Sequence, residues 1–461
     1  MSQTPGGPDE PEEPENPFKG TPFEAFFGGF PIGGVGGGPG GMPDLSQIFG
    51  QIQSLLQPYD GPLNWDVAMD LARKVAASTP DPTPSQKQKD AVADAIQLAD
   101  HWLEETTSFP SGVKSATAWS KAEWLVNTLD AWKPLIEPVA ASTASAMSGQ
   151  LPEDMKAQMG PMIGFVGKAM GALYANQAGT GLGHLAGEVI SVSDIGIPLA
   201  EPGNAALLPV NVEPFAEGLG VSTDDVLLFL ALREAAHQRL FAGVPWLRDH
   251  VVAAVTDYAR GVELNMEAMQ QRIEEQMRGL DLSAMQDPTQ LQNMFEEGMF
   301  EVPESPAQKA ALERLEIVLA LVEGWVDEVV ALATADKMPV ATQLQETVRR
   351  RRAAGGPAEQ TFATLVGLEL RPRRLRDAAA LWGSLRNRQG IEARDGVWMS
   401  PALLPTSADL DDPLGFREGA EAPDVDSIDF DEELKKLLGG SGPDDSKGSD
   451  GSDDADGTDT E

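Results

Sequence analysis

Three features of the chain predict a mainly α-helical fold. Apolar residues recur at three- and four-residue spacing through most of residues 46–416. Residues that start and stop helices bracket those runs. Strand-like patterns are confined to two short stretches near residue 200. The expected organisation is one helix-rich domain with a small β element over 44–420. A Pro/Gly-rich tail over 1–43 and an acidic tail over 421–461, both expected to be disordered, flank it.

The elements follow in order. "NWDVAMDLARKVAAS" and "SQKQKDAVADAIQLADHWLEET" each place apolar side chains on one helical face. "SKAEWLVNTLDAWKPLIEPVAAS" and "DMKAQMGPMIGFVGKAMGALY" continue the pattern. "SDIGIPLA" and "AALLPVNV" are the two strand candidates, expected to form a small sheet or an edge strand. In "GVSTDDVLLFLALREAAHQRLFAGVPW", Ser222 or Thr223 caps a helix whose positive end suits Asp224 and Asp225, and Gly243 and Pro245 end it. "SPAQKAALERLEIVLALVEGWVDEVVALATADKMP" opens on Ser305 with Pro306 at the first helical position. Gln308 completes a capping box, and the run stops before Pro339. The tryptophans fall mostly in such periodic segments and are expected in the core. In the acidic tail, "IDFDEELKKLL" could form a short amphipathic helix.

The chain of 461 residues has no cysteine, which excludes disulfides and thiol catalysis. Its formal charge is −38, of which residues 421–461 carry −12 and residues 1–45 carry −6. Such a field disfavours nucleic acid and anionic lipid as partners. A peptide or protein substrate or partner is a separate expectation. The basic islands "TVRRRRAAGG" and "LELRPRRLRD" are expected to pair with acids of the body or the tail. The apolar run near Ile317 is broken by Glu323, Asp327 and Glu328, so no membrane span is expected. The N-terminus does not read as a signal peptide, and a cytoplasmic location is expected. The glycine-rich stretches lack the lysine of a phosphate loop, and no serine nucleophile elbow is present.

The chemistry concentrates in "LREAAH". A helix that is apolar almost all round from Val226 to Leu232 then carries Arg233, Glu234 and His237. Buried ionisable groups need partners or a function. Glu234 and His237 have the spacing of the last two functional positions of H-E-x-x-H, where histidines bind zinc and glutamate acts as general base. Arg233 stands where the first histidine would be. A guanidinium stays protonated and offers no lone pair to a metal. In one zincin class the remaining ligand is a glutamate four residues before an aspartate that braces the first histidine. Glu323 and Asp327 in "VEGWVDEVV" have that spacing. Glu263 is a second candidate ligand. The other histidines are His101, His184 and His250. His184 lies in the glycine-rich "GTGLGHLAG", His101 in an amphipathic helix, and the spacing of His250 from His237 fits no zinc motif.

Several long stretches in order carry a resemblance over roughly Gly61 to Phe416: "GPLNWDVAMDLAR", "AWSKAEWLVNTLDAWKPLIEPVA", "LPVNVEPFAEGLGVSTDDVLLFLALREAAHQRLFAGVPWLRDHV", "LALVEGWVDEVV" and "LLPTSADLDDPLGF". The chain resembles actinobacterial zincin-like proteins labelled zinc-dependent metalloproteases or hydrolases, some of whose relatives carry a coenzyme F420 biosynthesis label. The resemblance implies a helical zincin-like domain, zinc as cofactor, Glu234 as general base and His237 as a metal ligand. Glu323 is inferred as the remaining metal ligand. Arg233 departs from the pattern and is expected to take the ion's place by pairing with Glu323 or Asp327. Two functions follow as expectations: a metallopeptidase-type hydrolase with a degenerate R-E-x-x-H motif, or a non-catalytic binding or scaffold protein on the same fold.

Overall fold

The computed structural model describes residues 59–149, 153–260, 305–353 and 374–418. Both expected tails, the amphipathic stretch within 428–438 and Glu263 lie outside the described residues. All described residues belong to one compact unit within Pro58–Glu461, which is mainly helical, as the sequence predicts.

In chain order the helices that matter are α1 (Trp65–Ala76), α2 (Gln86–Leu103), α3 (Lys121–Gly149), α4 (Glu153–Ala186), α5 (Pro209–Ala216), α6 (Thr223–Gly243), α7 (Pro306–Thr334), α8 (Ala341–Ala353), α9 (Leu375–Gln389), α10 (Ile391–Gly396) and α11 (Ser407–Asp411). Their ends obey the sequence. Asn64 accepts hydrogen bonds from the Asp66 and Val67 N–H groups at the start of α1. Ser222 accepts from the Asp225 N–H and settles the α6 cap. Ser305 and Gln308 make both halves of a capping box at α7, with Pro306 at its first turn.

The small sheet differs from the expectation. Its strands are β1 (Ser115–Ala118) and β2 (Asn204–Leu207), paired in parallel from Ser115 opposite Asn204 to Ala118 opposite Leu207. Of "AALLPVNV" only the start is strand, because Pro209 opens α5. "SDIGIPLA" is a series of turns, with Gly196 at φ +76°. That backbone region admits glycine but disfavours other residues.

α6 lies at the centre and packs against α2 on one side and α7 on another; α7 in turn packs on α9. Trp124, Trp132, Trp325, Trp382 and Trp398 are fully buried, as expected of core residues. No described helix is long and apolar enough to cross a membrane.

Gly179 and Gly183 of "GTGLGHLAG" serve packing. They lie within α4, where it meets α1. A Cβ on Gly179 would stand 2.4 Å from the Ala68 carbonyl oxygen, and one on Gly183 would stand 2.7 Å from that of Ala72. The two backbones approach this closely because Gly179 and Gly183 carry no side chain to hold them apart. Gly179→Val therefore forces the helices to separate. We expect a loss of roughly 1–3 kcal/mol or more, read by denaturant unfolding.

Candidate functional site

Every residue of α6 from Phe229 to Leu240 is buried, the charged ones included. α7 crosses it and presents Glu323 and Asp327, which are also buried. One helical turn separates these two carboxylates, so both face the same guanidinium. Arg233 donates from Nη2 to Glu323 Oε2 at 2.6 Å and from Nη1 to Asp327 Oδ1. His237 Nε2 lies 3.0 Å from Glu323 Oε1, and its Nδ1 lies 2.8 Å from the Arg233 carbonyl oxygen. Arg233, His237, Glu323 and Asp327 thus form one buried cluster.

Glu234 sits in a separate setting. Its carboxylate accepts the Ser193 N–H at 3.1 Å, the Ser193 hydroxyl at 3.3 Å and the Gln238 amide at 2.9 Å. Burial pushes its pKa up, against the opposing pull of His237 and these donors.

α8 adds residues that the sequence reading left out of the site. Arg349 donates to Asp327 Oδ2 at 2.7 Å. Arg352 Nη1 lies 2.9 Å from Glu323 Oε1, the oxygen that also faces His237. Arg351 holds Asp194 Oδ2 at 3.0 Å and the Glu188 carbonyl, and Arg352 reaches the Asp194 carbonyl. The turn segment is thereby tied down over the cluster. Gly196 approaches so closely that a Cβ there would stand 2.9 Å from Glu323 Oε1. The basic island "TVRRRR" was the available signal. Four arginines in an acidic chain announced acidic partners, but not that two of those partners were the buried carboxylates of α7.

Burial alone would raise the pKa of Glu323. Arg352, His237 and Arg233 outweigh it and hold the carboxyl down to about 2. Asp194 is likewise held low against its burial by Arg351 and Arg352.

The remaining histidines lie elsewhere. His184 is exposed on α4 and His101 pairs with Glu104 at 3.3 Å on the surface. His250 stacks edge-on against Trp246.

A mainly helical body around a buried Glu-x-x-His helix, crossed by a Glu-x-x-x-Asp helix, has the ground plan of a zincin. The family described as zincin-like metallopeptidase matches residues 63–416, and the chain belongs to it. A solved structure from Chloroflexus aurantiacus, described as a putative hydrolase with a novel fold, is similar over 76% of this chain and 96% of that one. Its TM-score is 0.51 at 18% identity, a likeness of fold. No curated protein matches the chain.

The family implies zinc, and the residues present do not fit it. A zinc centre needs three or more lone-pair donors converging on one point. Arg233 supplies none, and both oxygens of Glu323 are already engaged by cations or by His237. Among the described residues no group of three or more His, Asp or Glu side chains is placed to hold a metal ion.

Two outcomes test this cluster. Arg233→Ala should cost about 3–5 kcal/mol in denaturant unfolding, because it strips a partner from two buried carboxylates at once. Glu323 has a folded pKa below its unfolded value. Its contribution is therefore complete above about pH 4.5 and is lost as the pH falls towards about 2. Unfolding free energies of wild type and Glu323→Gln, measured across that window, should converge towards low pH.

Proposed function

We propose that this chain is a zincin-fold protein in which the Arg233 guanidinium takes the place of the catalytic metal, so that it acts as a binding or scaffold protein and not as a peptidase. One observation carries the reading: Arg233 bridges Glu323 and Asp327 with separate nitrogens. These are the carboxylates that the family pattern would give to the metal and to the first histidine. A guanidinium matches two carboxylates with its planar fork. It satisfies their charge, but it cannot polarise a carbonyl or lower the pKa of a bound water as a Lewis acid does.

Two further features support the reading. Glu234 has both carboxylate oxygens engaged by Ser193 and Gln238. Glu234, His237 and Glu323 are each no more than 2% exposed, so a peptide bond has no surface through which to reach them. The proposed partner class is a peptide or protein, in keeping with the metallopeptidase-like family; the acidic charge disfavours nucleic acid and anionic lipid.

Elemental analysis of the purified full-length protein is expected to find no stoichiometric zinc. Any residual hydrolysis of peptide substrates should be unchanged by chelator and by Glu234→Gln. Stoichiometric zinc, together with chelator-sensitive hydrolysis that Glu234→Gln abolishes, would overturn the proposal.

A further inference from the structure

The obvious repair of the site is to restore histidine at position 233. The geometry around Glu323 argues that this repair is insufficient. Removing the guanidinium would release Glu323 Oε2 and Asp327 Oδ1, the two atoms Arg233 holds. It would not release Glu323 Oε1, where Arg352 Nη1 remains at 2.9 Å beside His237 Nε2 at 3.0 Å. Arg352 is itself buried, at 7% exposure, and comes from α8, a different helix from the one that bears the motif. Its position is fixed from the far side by Asp194, whose carbonyl it also contacts.

We infer that Arg352 is a second residue that excludes a metal from this site, acting independently of Arg233 by holding a fixed positive charge against the carboxylate and histidine that a metal would need. This inference rests on the reading that Arg233 stands in for the ion, and extends it to a residue outside the zincin motif. Two cations compete for one carboxylate, and in a buried site little water screens their repulsion. A guanidinium cannot leave by deprotonating, as a lysine or histidine could. Arg349 differs: it occupies Asp327 Oδ2, while Oδ1 is the oxygen Arg233 uses, so it leaves an oxygen available to a histidine at 233. The lock is therefore assigned to Arg352 and not to the α8 arginines collectively.

The test compares full-length Arg233→His, Arg233→His/Arg352→Gln and Arg233→His/Arg352→Lys. Each is equilibrated with zinc, desalted, and read by elemental analysis and by thermal unfolding with and without zinc. The expected result is stoichiometric zinc, and a zinc-dependent rise in unfolding temperature, in the glutamine double variant alone. The single variant should bind zinc at least about tenfold more weakly. The lysine variant keeps the charge and should resemble the single variant, which separates charge from loss of packing. Recovery of a folded glutamine variant only when zinc is present would count as support. The inference is overturned if Arg233→His alone takes up zinc as tightly as the glutamine double variant. It is equally overturned if the lysine variant matches the glutamine variant, or if folded Arg233→His/Arg352→Gln takes up none. Zinc in the wild-type protein would instead refute the reading of Arg233 itself, so the two failures are distinguishable.

Discussion

Three carboxylates on one buried helix organise this protein. Glu323, Asp327 and Glu328 lie within two turns of α7, inside the core. A carboxylate without water needs a cation or several donors, because its desolvation is otherwise uncompensated. Between them the three obtain these cations from four other helices. Glu323 draws on α6 and α8, and Asp327 on the same two helices. Glu328 draws on Arg386 of α9 at 2.5 Å and Arg394 of α10 at 2.7 Å. Arg394 in turn binds Asp395 and the Thr106 carbonyl, and Asp395 accepts from Trp325, Thr107 and Ser108. The helices around α7 are therefore selected by charge as well as by shape. Ion pairs of this kind add little net stability over apolar packing, but they penalise every arrangement that leaves one member alone.

A guanidinium and a metal ion would differ at the crossing of α6 and α7. An ion collects lone pairs at a point and can keep a coordination position open for substrate. A guanidinium distributes its donors around a plane and uses them on neighbours. Both neutralise buried carboxylates, so the zincin framework can be held together by either. Only the ion leaves chemistry at the centre.

Much of this was legible in the sequence, for identifiable reasons. The caps at Ser222 and Ser305 are local devices, so residue type and spacing announced α6 and α7 directly. The coupling of Arg233 to Glu323 and Asp327 was legible because a lone buried cation and a pair of buried anions each demanded a partner. The strand partner was not legible: β1 is only "SATA", and nothing in four small residues reports which segment will lie beside them. "SDIGIPLA" looked apolar enough for a strand. The site instead needs its Ser193 N–H, its Asp194 carboxylate and the glycine φ at 196 as turn geometry. The role of Gly179 and Gly183 was not legible, because their contact with α1 depends on a helix more than a hundred residues away. The contribution of Arg352 depends on how α8 docks, which no local pattern encodes.

The cluster also bears on how the chain assembles. Arg233 and Glu323 are 90 residues apart, Arg351 and Asp194 are 157, and Trp325 and Asp395 are 70. Neither Glu323 nor Asp327 can be neutralised within α7 alone. A folding intermediate that docks α6 on α7 without α8 leaves charge buried and short of partners, and one that docks α7 without α10 does the same. Such contacts are also slow to form, because each closes a long loop before it yields any stabilisation. The charged interior thus penalises partial docking and favours joint closure of the helices around α7.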